Sequence, residues 1–318
     1  MIPDTLRQLV EATDGQREAE WEGRRILLIN AEWGELAISL QGAQVLHFLP
    51  FAPEDGRAAD ALPFASEAGR AAGARPAPGT EDGWLWVTPT PQPMPGAIRG
   101  GIPLCWPWFA DESPDGKGPM HGPARKAQWR VDAVDESVSG SGVEIHLSPE
   151  ERLHDQLVPS AVVHANEQRL SVELMTRHAG TTPVKLTGAL HTYFAVADTH
   201  RCRVEGLAGA RYLDKLEHFA EHHQQGELGI RGALDRIYQS NRPVILDDGQ
   251  RRLQISKQGS DSTVVWHPGD SLPDDTPAAV SQRFLCVEAA CTRVDPVWLV
   301  PDGQHLLSTT IVREAQST

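Results

Sequence analysis

Apolar and polar residues alternate one for one along most of this chain, in short runs closed by turn residues, and a segment with that period buries one face of an extended strand. Val143, Ile145 and Leu147 alternate with Glu144, His146 and Ser148, and Leu170, Val172 and Leu174 alternate with Ser171, Glu173 and Met175. Leu253 with Ile255, then Leu307, Thr309 and Ile311, repeat the pattern toward the C-terminus. Helical period is scarce: Leu6 to Ala12 reads as a short helix, and Glu151 to Gln156 as no more than a turn. The 28 glycines and 24 prolines supply the turns that many strands need and weigh against long helices, which excludes coiled coils and helical bundles. The expected fold is all-β, a large antiparallel β-sandwich of two packed sheets with few short helices. A single domain over residues 1–318 accommodates it. Residues Ala52 to Gly83, rich in Ala, Gly, Pro and charge without an apolar period, read as an exposed insertion between strands.

The formal net charge is −14 and no Lys/Arg block interrupts it, so nucleic-acid binding is disfavoured. Met1 to Arg24 lacks a basic start followed by an apolar run, and no stretch is long enough to cross a bilayer; a cytoplasmic monomer without a membrane partner is expected. Cys105, Cys202, Cys286 and Cys291 form no CxxC pair and read as reduced, mostly buried thiols. Nine tryptophans suit either sugar-stacking faces or core packing, and packing is the stronger reading.

Four local sequences carry possible chemistry. In Arg99-Gly100-Gly101-Ile102-Pro103, followed by Cys105-Trp106-Pro107-Trp108-Phe109 and His121-Gly122-Pro123-Ala124-Arg125, two glycines let backbone approach a ligand while a guanidinium offers a fork for carboxylate or phosphate. A Gly-Gly turn beside a surface arginine explains the first part equally well. In Leu190-His191-Thr192-Tyr193-Phe194 an imidazole sits in an apolar setting, either as an acid or base or as a satisfied core residue. Glu288 interrupts Phe284-Leu285-Cys286-Val287 and Ala289-Ala290; burying a lone carboxylate is expensive, so it lines a cavity or is paired. Asp235-Arg236 reads alone as a surface pair. Metal-ligand spacing, GxGxxG, P-loop and GxSxG motifs are all lacking.

Taken together, Arg99-Gly-Gly-Ile-Pro with Cys-Trp-Pro-Trp-Phe, His121-Gly with Ala124-Arg125, Leu190-His-Thr-Tyr-Phe, Asp235-Arg-Ile-Tyr, Val264-Val-Trp with Pro268-Gly, and Cys286-Val-Glu resemble the hexose-6-phosphate mutarotases of the aldose 1-epimerase, or galactose-mutarotase-like, superfamily. The resemblance spans about residue 84 to 311. It implies the supersandwich form of the β-sandwich, no metal or organic cofactor, and interconversion of the α and β anomers of an aldohexose 6-phosphate. It further implies that His191 and Glu288 are catalytic, that Arg99 holds phosphate, that Asp235 holds sugar hydroxyls, and that His121 and Arg125 line the same pocket. Pro123, His267 and the Pro-rich stretch Val87 to Ala97 depart from the family pattern.

Opening a pyranose needs a base for the anomeric hydroxyl and an acid for the ring oxygen. With reference pKa values near 4.3 and 6.5, an ionised Glu288 suits the base and a protonated His191 the acid. Two other classes share parts of the pattern. A silent sugar-binding sandwich has little need of Glu288, and a glycoside hydrolase using Asp235 and Glu288 leaves His191 without a duty.

Overall fold

A computed structural model describes residues 1–51, 83–136 and 141–314. The insertion read at Ala52 to Gly83 lies, except for Gly83, outside the described residues. Every strand pairing is antiparallel, and most strands fall in two large sheets. The nine-stranded sheet runs Leu228–Gly229, Arg203–Glu205, Val244–Asp247, Arg252–Gln258, Gln304–Arg313, Arg169–His178, Leu157–Ala165, Val143–Pro149, Trp129–Glu136. The eight-stranded sheet runs Ala220–His223, Arg211–Asp214, Leu234–Gln239, Ser262–His267, Phe284–Cys291, Gly188–Leu190, Leu104–Cys105, with Tyr193–Ala195 also pairing with Phe284–Cys291.

The alternating segments form the strands the period predicts. Along Leu157–Ala165 every second residue is buried, and Val143, Ile145 and Leu147 point inward while their neighbours are half-exposed. The buried set enters one large core with residues from Leu27 to Ile311, each fully buried Leu or Ile stabilising by about 1.5–3 kcal/mol. The helix forms at Asp4–Glu11, with Leu6 and Val10, one turn apart, on its buried face.

Two sheets alone do not account for the chain. The N-terminal strands Gly15–Trp21, Arg24–Ala31, Gly34–Ser39 and Gln44–Pro50 form a separate four-stranded sheet, and Val184–Leu186 pairs with Val297–Leu299. The Gly34–Ser39 and Gln44–Pro50 strands are buried at every position. Leu27, Leu36 and Phe48 belong to the large core, while Ile26, Leu28, Ala37 and Leu46 pack in a second core with Leu6 and Val10 of the helix. Strands covered on both faces read as continuous apolar runs, which is why alternation is weak there. All four cysteines are free and buried. Trp21, Trp33, Trp84, Trp86, Trp106 and Trp129 are core residues, whereas Trp298 is 64% exposed.

Candidate active site

Glu288 lies in the strand Phe284–Cys291, which is buried throughout. One edge of that strand is served by two short partners: Gly188–Leu190 pairs with Ala289–Cys291, and Tyr193–Ala195 pairs with Phe284–Cys286. Between them the chain leaves the ladder at His191 and Thr192. The His191 N–H donates instead to Pro103 O at 3.0 Å, and Val287 N–H donates to Thr192 O at 3.2 Å. This break lets the imidazole sit over Glu288, with Nδ1 3.3 Å from Oε1. Both residues are sealed, at 7% and 1% exposure, yet His191 Nδ1 and Glu288 Oε2 make no hydrogen bond among the described residues. A buried polar atom left unsatisfied costs about 1–3 kcal/mol, a cost that a purely structural pair would have no reason to carry.

Aromatic rings fix the imidazole. Tyr193 stacks on it with centroids 4.8 Å apart and planes 10° apart; the edges of His121 and Trp266 approach at 5.3 Å and 6.1 Å. His121 is itself held in a left-handed conformation, followed by Gly122 at φ 75°, where a Cβ would collide with Trp106 O. His121 Nδ1 accepts from Ala110 N–H at 3.2 Å, so its ring proton resides on Nε2. Burial, with help from the charges of Arg125, Lys215 and Arg99, pushes the His121 pKa down to about 3. The ring is a neutral Nε2–H donor.

The Gly100-Gly101 pair plays a different part from the one its sequence suggests. Both glycines take positive φ, and a Cβ there would collide with Trp86 O and Val45 O. The backbone they admit is the chain's own, and the close packing aims Arg99 at the site. Arg99 Nε donates to Asp275 Oδ1 at 2.5 Å, and Nη1 donates to Tyr193 Oη at 3.3 Å. Arg125 sits in the turn Ala124–Lys126 opened by Pro123, the position that departs from the family pattern; Pro123 O accepts from Lys126 N–H and Ala127 N–H. Its guanidinium has no ion pair among the described residues, and its buried Nε has no hydrogen-bond partner. Asp235 is no surface pair with Arg236: its carboxylate lies 3.3 Å from Lys215 Nζ, while Arg236 turns to Asp214 at 2.9 Å.

The six predicted residues therefore share one region. Arg99 and Arg125 both act on the charge of His191, and Asp235 and Lys215 on that of Glu288. Asp275, Lys215 and Trp266 were not singled out from sequence; of these only Trp266 lay in a noted motif. His267 is a core residue whose Nδ1 accepts from Gly269 N–H at 3.1 Å and whose Nε2 donates to Ser281 O at 3.0 Å. The Val87 to Ala97 stretch is pinned by Arg24, which donates to Gln92 O and Gly96 O.

Burial reverses the protonation states expected from reference pKa values. Desolvation drives His191 well below its ordinary value, and His121, Arg125 and Arg99 add to it. Desolvation drives Glu288 well above the carboxylate range, with Asp235 adding to it. Burial therefore disfavours charge on both members of the pair, toward a neutral imidazole and a protonated carboxyl.

The family model for aldose 1-epimerase matches residues 76–312. The chain belongs to the aldose 1-epimerase family. The epimerase, an isomerase acting at the anomeric carbon of sugars, is 31% identical over 226 residues to a protein of Escherichia coli (strain K12) provisionally named glucose-6-phosphate 1-epimerase, covering 67% of this chain and 74% of that one. A relative from Cenchrus ciliaris with the same provisional name is 30% identical over 232 residues, covering 65% and 68%. A crystal structure described provisionally as a mutarotase, from Salmonella typhimurium, superimposes with a TM-score of 0.80 over 98% of this chain and 100% of the other. At 22% identity that likeness shows the fold alone.

Proposed function

We propose that the epimerase interconverts the α and β anomers of an aldohexose 6-phosphate, with glucose 6-phosphate as the expected substrate, and that His191 and Glu288 carry the two proton transfers. The reading rests on one observation above the rest: a sealed imidazole–carboxyl pair with polar atoms unsatisfied among the described residues, in the field of an arginine, Arg125, that has no ion pair among those residues.

Ring opening removes a proton from the anomeric hydroxyl and returns one to the ring oxygen, so the net charge of the catalytic pair is conserved. A pair holding one shared proton suits this in either form. In the neutral form Glu288 is the acid and His191 the base; in the form with the proton on His191 the roles are reversed. Burial is the main force holding His191 neutral, with the charges of Arg125 and Arg99 adding to it, and a phosphate dianion bound at Arg125 would offset the arginine contribution. Substrate thus favours imidazolium beside carboxylate, with Glu288 as base and His191 as acid. The open aldehyde turns about its C1–C2 bond, and closure with the transfers reversed gives the other anomer. His121 Nε2–H and the Asp235 carboxylate supply a donor and an acceptor for ring hydroxyls.

The test is magnetisation exchange by NMR between the two anomers of glucose 6-phosphate. Catalytic amounts of the intact protein should accelerate exchange, and His191→Ala and Glu288→Gln should each remove on the order of 10² to 10⁴ of that acceleration. Exchange no faster than in buffer would overturn the proposal in favour of a silent sugar-binding module.

A further inference from the structure

Cys286 shares the inward face of its strand with Glu288, two positions on, and pairs across the ladder with Tyr193 and Trp266. The thiol lies against the pair already described: His191, Cys286 and Glu288 each offer a ligand atom, and the three atoms lie within 4.8 Å of one another. We propose that these three residues form a binding site for a thiophilic divalent cation of the zinc class, which blocks the epimerase.

Three features carry the assignment. The 3.3 Å between His191 Nδ1 and Glu288 Oε1 matches the roughly 3.3 Å that separates a nitrogen and an oxygen on one tetrahedral zinc, given Zn–N and Zn–O bonds of about 2.0–2.1 Å. The thiol must approach to about 3.6 Å from them to bond at about 2.3 Å, a shift of up to about 1.2 Å from the 4.8 Å bound. Second, His191 and Glu288 are buried, and among the described residues His191 Nδ1, Glu288 Oε2 and the Cys286 thiol make no hydrogen bond, so coordination displaces no partner there. Third, thiolate and carboxylate together neutralise a divalent cation beside a neutral imidazole, so the buried complex carries no net charge. The thiol and carboxyl protons leave to solvent on coordination. One carboxylate cannot satisfy magnesium or calcium, which need six or more oxygens, and the sulfur and nitrogen select the softer ions. The blocking of catalysis, though not the site itself, rests on the assignment of His191 and Glu288 to the proton transfers.

Cobalt(II) added to the metal-free protein reads the site directly. A sulfur-to-cobalt charge-transfer band should grow to one equivalent, be displaced by zinc and not by magnesium, and vanish in Cys286→Ser. It should persist in Cys291→Ser, which removes the thiol 3.9 Å from His305. Glu288→Gln, which keeps the side-chain shape should Cys286→Ser fail to fold, should weaken cobalt binding by about tenfold or more. No band, or a band unchanged in Cys286→Ser or in Glu288→Gln, overturns the site. In the anomer-exchange assay zinc should silence the enzyme at concentrations that displace cobalt. Full exchange with the band saturated would instead overturn the catalytic role of the pair and leave the metal site standing.

Discussion

Replacing Arg125 with alanine should separate phosphorylated from free sugar. Arg99 already serves Asp275 at 2.5 Å, and that carboxylate, 5% exposed, takes up most of its charge. Arg125 has no ion pair among the described residues, so its field falls undiminished on whatever anion enters. A hydrogen bond to a charged group is worth about 1.5–3 kcal/mol net, which corresponds to a loss of roughly 10- to 150-fold in kcat/KM for glucose 6-phosphate. Free glucose has no anion to lose, and its kcat/KM should change by no more than the ~0.5 kcal/mol of an ordinary partly exposed substitution. The assay is anomer exchange by NMR on both sugars under one set of conditions. The salt dependence gives a second readout: rising ionic strength should weaken the phosphorylated reaction in the parent more than in Arg125→Ala. Equal losses on the two sugars would refute the reasoning, because they would place Arg125 at the ring or in the fold and not at the phosphate.

Three further outcomes follow from the same charges. Glu288→Gln should lose catalysis yet gain stability, because the folded protein holds a carboxyl proton that the unfolded chain releases above about pH 4.5. The cost of keeping it grows as pH rises from there, so thermal melts should show a larger advantage of Glu288→Gln over the parent at pH 8 than at pH 4; an equal difference at both would contradict the raised pKa. Arg99→Ala should destabilise by about 3–5 kcal/mol in urea unfolding, since it strands Asp275, and Arg99→Ala with Asp275→Asn should recover most of that; additive losses would deny the pair. Phosphite dianion should accelerate exchange of free glucose, and the effect should disappear in Arg125→Ala; inhibition in its place would mean that an anion at the guanidinium does not promote protonation of His191.

The strands with one wet face were legible because their period was visible, and the helix Asp4–Glu11 because Leu6 and Val10 fall one turn apart. The N-terminal sheet was not, since strands covered on both sides lose the polar member of each pair. At the site the same rule worked in reverse: Glu288 stood out because a carboxylate in an otherwise apolar, doubly covered strand demands an explanation. Asp275 and Lys215 gave no such signal. Each lies in a polar stretch where an acid or a lysine is ordinary, and only the fold brings them to Arg99 and Asp235. The direction of the His191 and Glu288 shifts was beyond sequence for a related reason: it depends on how much water the surrounding chain excludes, and reference pKa values contain none of that.

A chain at −14 repels a dianion at long range, so capture depends on what happens within a few ångströms of the pocket. There the balance changes sign. Arg99 and Lys215 pair with Asp275 and Asp235, burial disfavours charge on His191 and Glu288, and Arg125 has no ion pair among the described residues. That charge has opposite effects on the two states of the enzyme. Without an anion it adds to the burial that chiefly keeps the imidazole deprotonated, and disfavours ionisation of the pair. If the proposed phosphorylated sugar is the substrate, its anion offsets the same guanidinium and lowers the arginine part of the penalty on imidazolium, so the phosphate would help to create the acid that opens its own ring. Binding energy from a group remote from the anomeric carbon is then expressed in the chemical step, and a sugar without phosphate lacks it even when it binds. On the proposed reading, an arginine without an ion pair among the described residues is then both the means of capture and the element that makes the His191–Glu288 pair conditional on a phosphorylated substrate.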